Sequence, residues 1–156
     1  MAVTKKEELI QEAADCGAEV INHRFNSERI KGLYSDGMIT ISDRLKTSAQ
    51  QTSILGEELG HHLTSYGNIL DQNDVMNRQQ ERRARIWAYD RLIGLEGIVK
   101  AYKAGCRNRY EMAAYLEVTE ELLIDALFYY QEKYGQFARY ERYAIRFDPL
   151  AVIRWV

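Results

Sequence analysis

Residues 57–62 read Glu-Glu-Leu-Gly-His-His, which puts two carboxylates and two imidazoles within six positions. An α-helix turns by about 100° per residue, so positions four apart share a face one turn along. Glu57 and His61 stand in that relation, Glu58 lies within about a quarter-turn of both, and Glu58 with His62 forms a second pair four apart. Carboxylate oxygen and imidazole nitrogen are both ligands for a divalent ion such as zinc. Leu55, Leu59 and Leu63 fall on a different face, so one helix carries an apolar stripe for a core beside a polar, metal-competent stripe. The plain alternative is a solvated face with two acids and two histidines. Against it, all the chain's histidines except His23 sit here.

The run resembles the zinc-endopeptidase pattern H-E-x-x-H, in which two histidine ligands flank a glutamate general base. Here it reads E-E-L-G-H: Glu58 takes the base position, His61 the second ligand, and Glu57 stands where the first histidine would be. A carboxylate binds zinc at about 2.0–2.2 Å, so the exchange is chemically allowed. It adds negative charge, which weakens the ion's Lewis acidity and favours a harder ion such as manganese. A third protein ligand leaves a fourth position for water. Glu81 is the expected one, because it shares a helix face with Ala84, Ala88 and Leu92, and a carboxylate carried inward with them requires a partner. A salt bridge to Arg82, Arg85 or another Arg of this basic segment would also satisfy it. His62, Asp71 and Asp74 are the alternative ligands.

These residues depend on the elements that hold them. Thr4 and Glu7 read as a capping box for a first helix running to about Val20. Ile30 to Ile41 reads as a hairpin turning at Ser35-Asp36-Gly37. The motif helix is expected from Ser48 to Ser65, followed by a loop and a helix over Asn77 to Leu92. Shorter helices follow near Leu95 to Ala104 and Arg109 to Leu116, then a longer one from Glu120 to Tyr134. Tyr143 to Phe147 alternates in polarity, Asp148-Pro149 makes a turn, and Val152 to Val156 reads as a strand. The whole is expected to be α+β and mostly helical, with a small antiparallel sheet or hairpin beside the motif helix. A chain of 156 residues suits a single domain.

With 46% apolar and 28% charged residues the composition is that of a globular protein. A net charge of -2 gives no general pull toward nucleic acid or anionic lipid. Cys16 and Cys106 form no CxxC pair, which argues against a cysteine zinc site or a disulfide framework. The N-terminus has no apolar core of a signal peptide, and no run approaches a membrane span. A cytoplasmic protein is the expectation.

The order of pieces is more specific than any one of them. Gly32-Leu-Tyr-Ser-Asp-Gly-Met-Ile-Thr-Ile41, then Ile54 through Ser65, Gly67-Asn-Ile, Asn77 through Ala84, Trp87-Ala-Tyr89 and Leu92-Ile93 together resemble the ImmA/IrrE family of metallopeptidases, over roughly residues 5 to 135. The resemblance implies a zincin-like fold and cleavage of a helix-turn-helix repressor of a phage or mobile element. It implies Glu58 as base and His61 as a metal ligand, and phage-type members with the same E-E-L-G-H form. On this reading residues 1–95 form the zincin-like metal-site core, 96–135 helix-turn-helix-like helices, and 140–156 a strand-like tail. The alternative function is a metal-binding but non-catalytic antirepressor that works by binding alone.

Tyr110 to Leu127 resembles a helix-turn-helix, with Thr119 capping the second helix. That helix begins Glu120-Glu121, continues to Asp125, and has no Lys or Arg before Lys133, so it repels phosphate. Direct nucleic-acid contact is not expected, and packing helices or a dock for a basic repressor surface remain.

Overall fold

Helix α1 (Lys5–Asp15) opens at Thr4, whose side-chain oxygen accepts the Glu7 N–H at 3.2 Å. It closes well short of Val20. Gly17 takes φ +82°, its N–H reaches the Ala14 carbonyl at 3.1 Å, and Ala18 N–H reaches Ala13 at 2.8 Å. These are the two bonds of a Schellman stop, which needs a residue that tolerates left-handed backbone. The chain released there becomes a strand, β1 (Glu19–His23), where the sequence pattern suggested more helix. The computed structural model describes residues 2–65 and 74–155.

Strands β2 (Gly32–Ser35) and β3 (Met38–Ser42) form the expected hairpin. Asp36 and Gly37, at φ 45° and 78°, supply the paired left-handed residues of a tight two-residue turn. The sheet order is β1-β3-β2, with β1 parallel and β2 antiparallel to β3. β3 is therefore central and β2 is an edge.

Helix α2 (Ser48–Thr64) carries the Glu-His motif. Thr47 and Gln50 close a full capping box at its start. Its apolar stripe, Leu55 and Leu59, is fully buried with Leu9 and Ala13 of α1 and Ile39 and Ile41 of β3. Helix α3 (Asp74–Leu92) begins earlier than the sequence pattern suggested, and buries Gln80, Ala84, Ala88 and Leu92.

The chain divides into two compact units, 1–88 and 89–156, with the boundary inside α3. In the second, α4 (Gly94–Lys103), α5 (Arg109–Leu116) and α6 (Glu120–Tyr134) precede an antiparallel sheet, β4 (Phe137–Tyr140), β5 (Tyr143–Phe147) and β6 (Leu150–Arg154). Tyr130 anchors this unit: its ring is buried, and its hydroxyl donates to Asp90 and accepts the Gly94 N–H, each at 3.1 Å. The mostly helical α+β, zincin-like class expected from the sequence is the one observed.

Two glycines set the depth of α2. A Cβ on Gly32 would lie 2.5 Å from Ile54 and 3.0 Å from Glu58, and a Cβ on Gly60 would press on the Ala84 carbonyl of α3. Backbone cannot yield there as a flexible side chain would. Gly60→Ala should therefore destabilise the protein by about 1–3 kcal/mol through overpacking. An equilibrium urea titration would read this as a lower midpoint; an unchanged midpoint would mean that α2 and α3 are not held this close.

Candidate functional site

Helix α2, edge strand β2 and the start of α3 enclose a cleft of about 370 Å³, lined by Gly32, Leu33, Tyr34, Glu58, His61, Asn77, Gln80 and Glu81. Three of the residues singled out by spacing meet here: Glu58, His61 and Glu81. Glu57 is not among the lining residues, although its charge raises the pKa of both Glu58 and His61. Asp71 lies outside the described residues, and of Asp74 only the backbone, the first residue of α3, is described.

His61 Nε2 and Glu81 Oε1 stand 3.2 Å apart, bridging α2 and α3. The His61 side chain is 17% exposed and that of Glu81 54%, so Glu81 is at the open side of the cleft rather than carried inward with Ala84 and Ala88. Burial alone would lower the His61 pKa; the hydrogen bond to Glu81 and the surrounding carboxylates outweigh it and raise it. Glu81 is lowered, first by its hydrogen bond from His61 and also by the charges of His61 and Arg85, against a rise from burial. Arg85, one of the arginines weighed as its partner, thus acts on it as well. A raised histidine stabilises below its ordinary 6.5 and loses that as pH rises, while a lowered carboxylate stabilises above its ordinary 4.5. The pair is strongest between those values.

Glu58 behaves oppositely. Burial, helped by the charges of Glu57 and Glu81 and opposed by His61, pushes its carboxyl up to about 7. It lies against the bare Cα of Gly32, where a Cβ would come within 3.0 Å of its Oε1.

His62 is held elsewhere. Its Nε2 donates to the Cys16 carbonyl at 2.8 Å, so in the neutral ring Nδ1 accepts from the Tyr34 hydroxyl at 2.7 Å. Tyr34 in turn accepts the Gly37 N–H at 3.1 Å. Both ring nitrogens are thus engaged by protein, which leaves His62 no lone pair for an ion in this arrangement. Sequence reasoning passed over Tyr34, Asn77 and Gln80. Tyr34 stood inside the hairpin pattern and Gln80 beside Glu81, but neither residue type signals chemistry by spacing. In the sheet β3 is hydrogen-bonded on both sides, β1 and β2 are the outer strands, and β2 is the one that lines the cleft.

Among the described residues, no three His, Cys, Asp or Glu side chains form a group that could hold a metal ion. The donor chemistry nevertheless fits one: a nitrogen and a carboxylate oxygen already side by side, next to a desolvated carboxyl. The helix that bears this glutamate and histidine lies beside an outer strand, as the zincin-like class of fold has it. The chain belongs to the Peptidase M78 family, whose IrrE N-terminal-like domain model matches residues 13–128. This is a metallopeptidase family, so membership implies a divalent ion and a protein substrate. No curated protein and no solved structure matches the chain. Among the described residues no helix is long and apolar enough to cross a membrane.

An acid with a raised pKa binds its proton more tightly folded than unfolded, so its contribution is present below 4.5 and lost as pH rises toward 7. Glu58→Gln keeps the shape and removes the titration. In metal-free protein the variant should match the parent near pH 4 and exceed it above pH 7, by on the order of 3 kcal/mol at most. Urea denaturation at both pH values checks this; a stability gap that does not widen with pH would show that Glu58 ionises without penalty.

Proposed function

We propose that this chain is a metal-dependent endopeptidase that cleaves a helix-turn-helix repressor of a phage or mobile element, in the cytoplasm. The observation that carries the reading is Glu58: a carboxyl pushed up to about 7, in a cleft beside the His61–Glu81 pair. A general base works best when its pKa lies near the working pH, because it must both take and return a proton.

His61 and Glu81 would hold the ion, with Glu57, whose charge is already felt at His61, as the remaining protein ligand. Zinc is the expected ion, and manganese the alternative favoured by oxygen donors. When bound, such an ion supplies a polarised water and a Lewis acid for the carbonyl oxygen. Glu58 accepts the proton of the attacking water and passes it to the leaving amine nitrogen. The peptide lies extended along the outer edge of β2, where Gly32, Leu33 and Tyr34 line the cleft, and pairs by strand addition. The phage-type E-E-L-G-H form is taken here as an active variant of the motif.

Glu57 outside the cleft lining favours a second reading, a metal-binding antirepressor that holds the repressor without cutting it. One experiment separates them. Metal-loaded protein incubated with a candidate repressor should yield fragments, chelator should stop their formation, and Glu58→Gln should slow cleavage by about 10²–10⁴-fold while retaining metal. Full cleavage by Glu58→Gln would sink the mechanism, and an intact repressor in a stable complex would favour the antirepressor. Metal content measured after replacing Glu57, His61 and Glu81 singly by Ala should fall in each; three variants that keep their metal would discard the ligand set.

A further inference from the structure

Helix α6 has one buried face and one exposed face. Leu122, Leu123, Ala126, Leu127 and Tyr130 are buried. Glu121, Ile124, Asp125, Phe128 and Glu132 follow each other at helical spacing along the opposite side, and all are exposed. Phe128 is 68% exposed and Ile124, one turn before it, 38%. Large apolar side chains a turn apart, rimmed by charge, are the arrangement of an interface anchor.

The charge in this stretch of sequence has one sign as far as Lys133. Residues 110–132 contain the acids Glu111, Glu117, Glu120, Glu121, Asp125 and Glu132 and no Lys or Arg, in a chain whose net charge is only -2. The helix dipole accounts for Glu120 and Glu121 in the first turn. It gives no reason for Ile124 and Phe128 to face solvent. Glu117 in left-handed backbone and the Thr119 cap make the α5–α6 corner that a helix-turn-helix uses, but an acidic second helix repels phosphate.

We propose that this face of α6 docks a basic amphipathic helix of a protein partner, apolar residues seating on Ile124 and Phe128 and Lys or Arg residues over the flanking acids. The proposal rests on the endopeptidase reading only in taking that partner to be the substrate; docking itself needs no catalysis. Helix-on-helix docking of this kind combines apolar anchors with charge complementarity for specificity.

The probe is a labelled synthetic amphipathic helix with Leu along one face and Lys on its flanks, followed by fluorescence anisotropy against the full chain. A peptide with Glu in place of Lys is the control. The Lys peptide should bind at least about tenfold tighter than the Glu peptide, and Phe128→Ala should cost about tenfold. Glu121→Lys should weaken the Lys peptide and strengthen the Glu peptide, and Glu58→Gln should bind as the parent does. Equal affinity for both peptides, or indifference to Phe128→Ala in a protein whose circular dichroism is unchanged, would overturn the proposal. So would a dimer of the chain alone that Phe128→Ala dissociates in sedimentation, or duplex DNA binding that it weakens. Protein that binds the Lys peptide but cuts no repressor sinks the endopeptidase reading alone; protein that cuts but ignores the peptide sinks only the docking face.

Discussion

The site depends on how near α2 lies to its two neighbours. On one side Gly32 lets β2 lie against Ile54 and Glu58; on the other Gly60 lets the α3 backbone reach α2 at Ala84. One added methyl group would have to displace the Ile54 and Glu58 side chains at Gly32, and the α3 backbone at Gly60. The first contact removes water from Glu58. The second brings α3 close enough for Glu81 to meet His61 across the gap. A short side chain such as glutamate has little reach, so the spacing of the backbones decides whether the polar groups meet at all.

That closeness has opposite effects on neighbouring carboxyls. Glu81, at the open side of the cleft and bonded to His61, is held as an anion. Glu58, three residues before the same histidine, is pushed toward the neutral acid because burial outweighs the histidine's attraction. Two carboxyls driven apart in this way are what acid–base chemistry uses: one group stays charged and holds, the other exchanges a proton near neutrality. The destabilisation that burial of Glu58 brings is the usual relation between stability and a prepared site.

Much of this was legible from residue spacing, and what was not has identifiable causes. Leu55 and Leu59 opposite Glu58 and His61 follow from helical periodicity alone. Asp36-Gly37 announces its turn because few other pairs tolerate that backbone. Strand β1 was hidden because Glu19 to His23 continues the apolar spacing of α1, and only the glycine stop at Gly17 divides them. Strand β4 was missed for a related reason: Phe137-Ala-Arg-Tyr140 is four residues long and follows the helix after a single turn. Sheet order escaped altogether, since pairing of β1 with β3 is a long-range choice that no local pattern records. The cleft's composition was half visible. Glu58, His61 and Glu81 declare themselves by type and spacing, whereas Tyr34 and Gln80 matter through where the fold puts them.

The engagement of His62 reaches beyond architecture. Two adjacent histidines of identical chemistry are sorted by what each already binds: His62 ties the end of α1 and the hairpin to α2, and His61 is left to the cleft. The third, His23, sits on β1 with its ring edge-on to Phe25, outside the cleft lining. The cleft therefore offers a single imidazole, and any further protein donors come as oxygen. An oxygen-rich donor set of this kind narrows the usual preference for zinc over harder ions such as manganese. Which ion such a centre would carry in a cell would then depend on the free concentrations around it as well as on affinity.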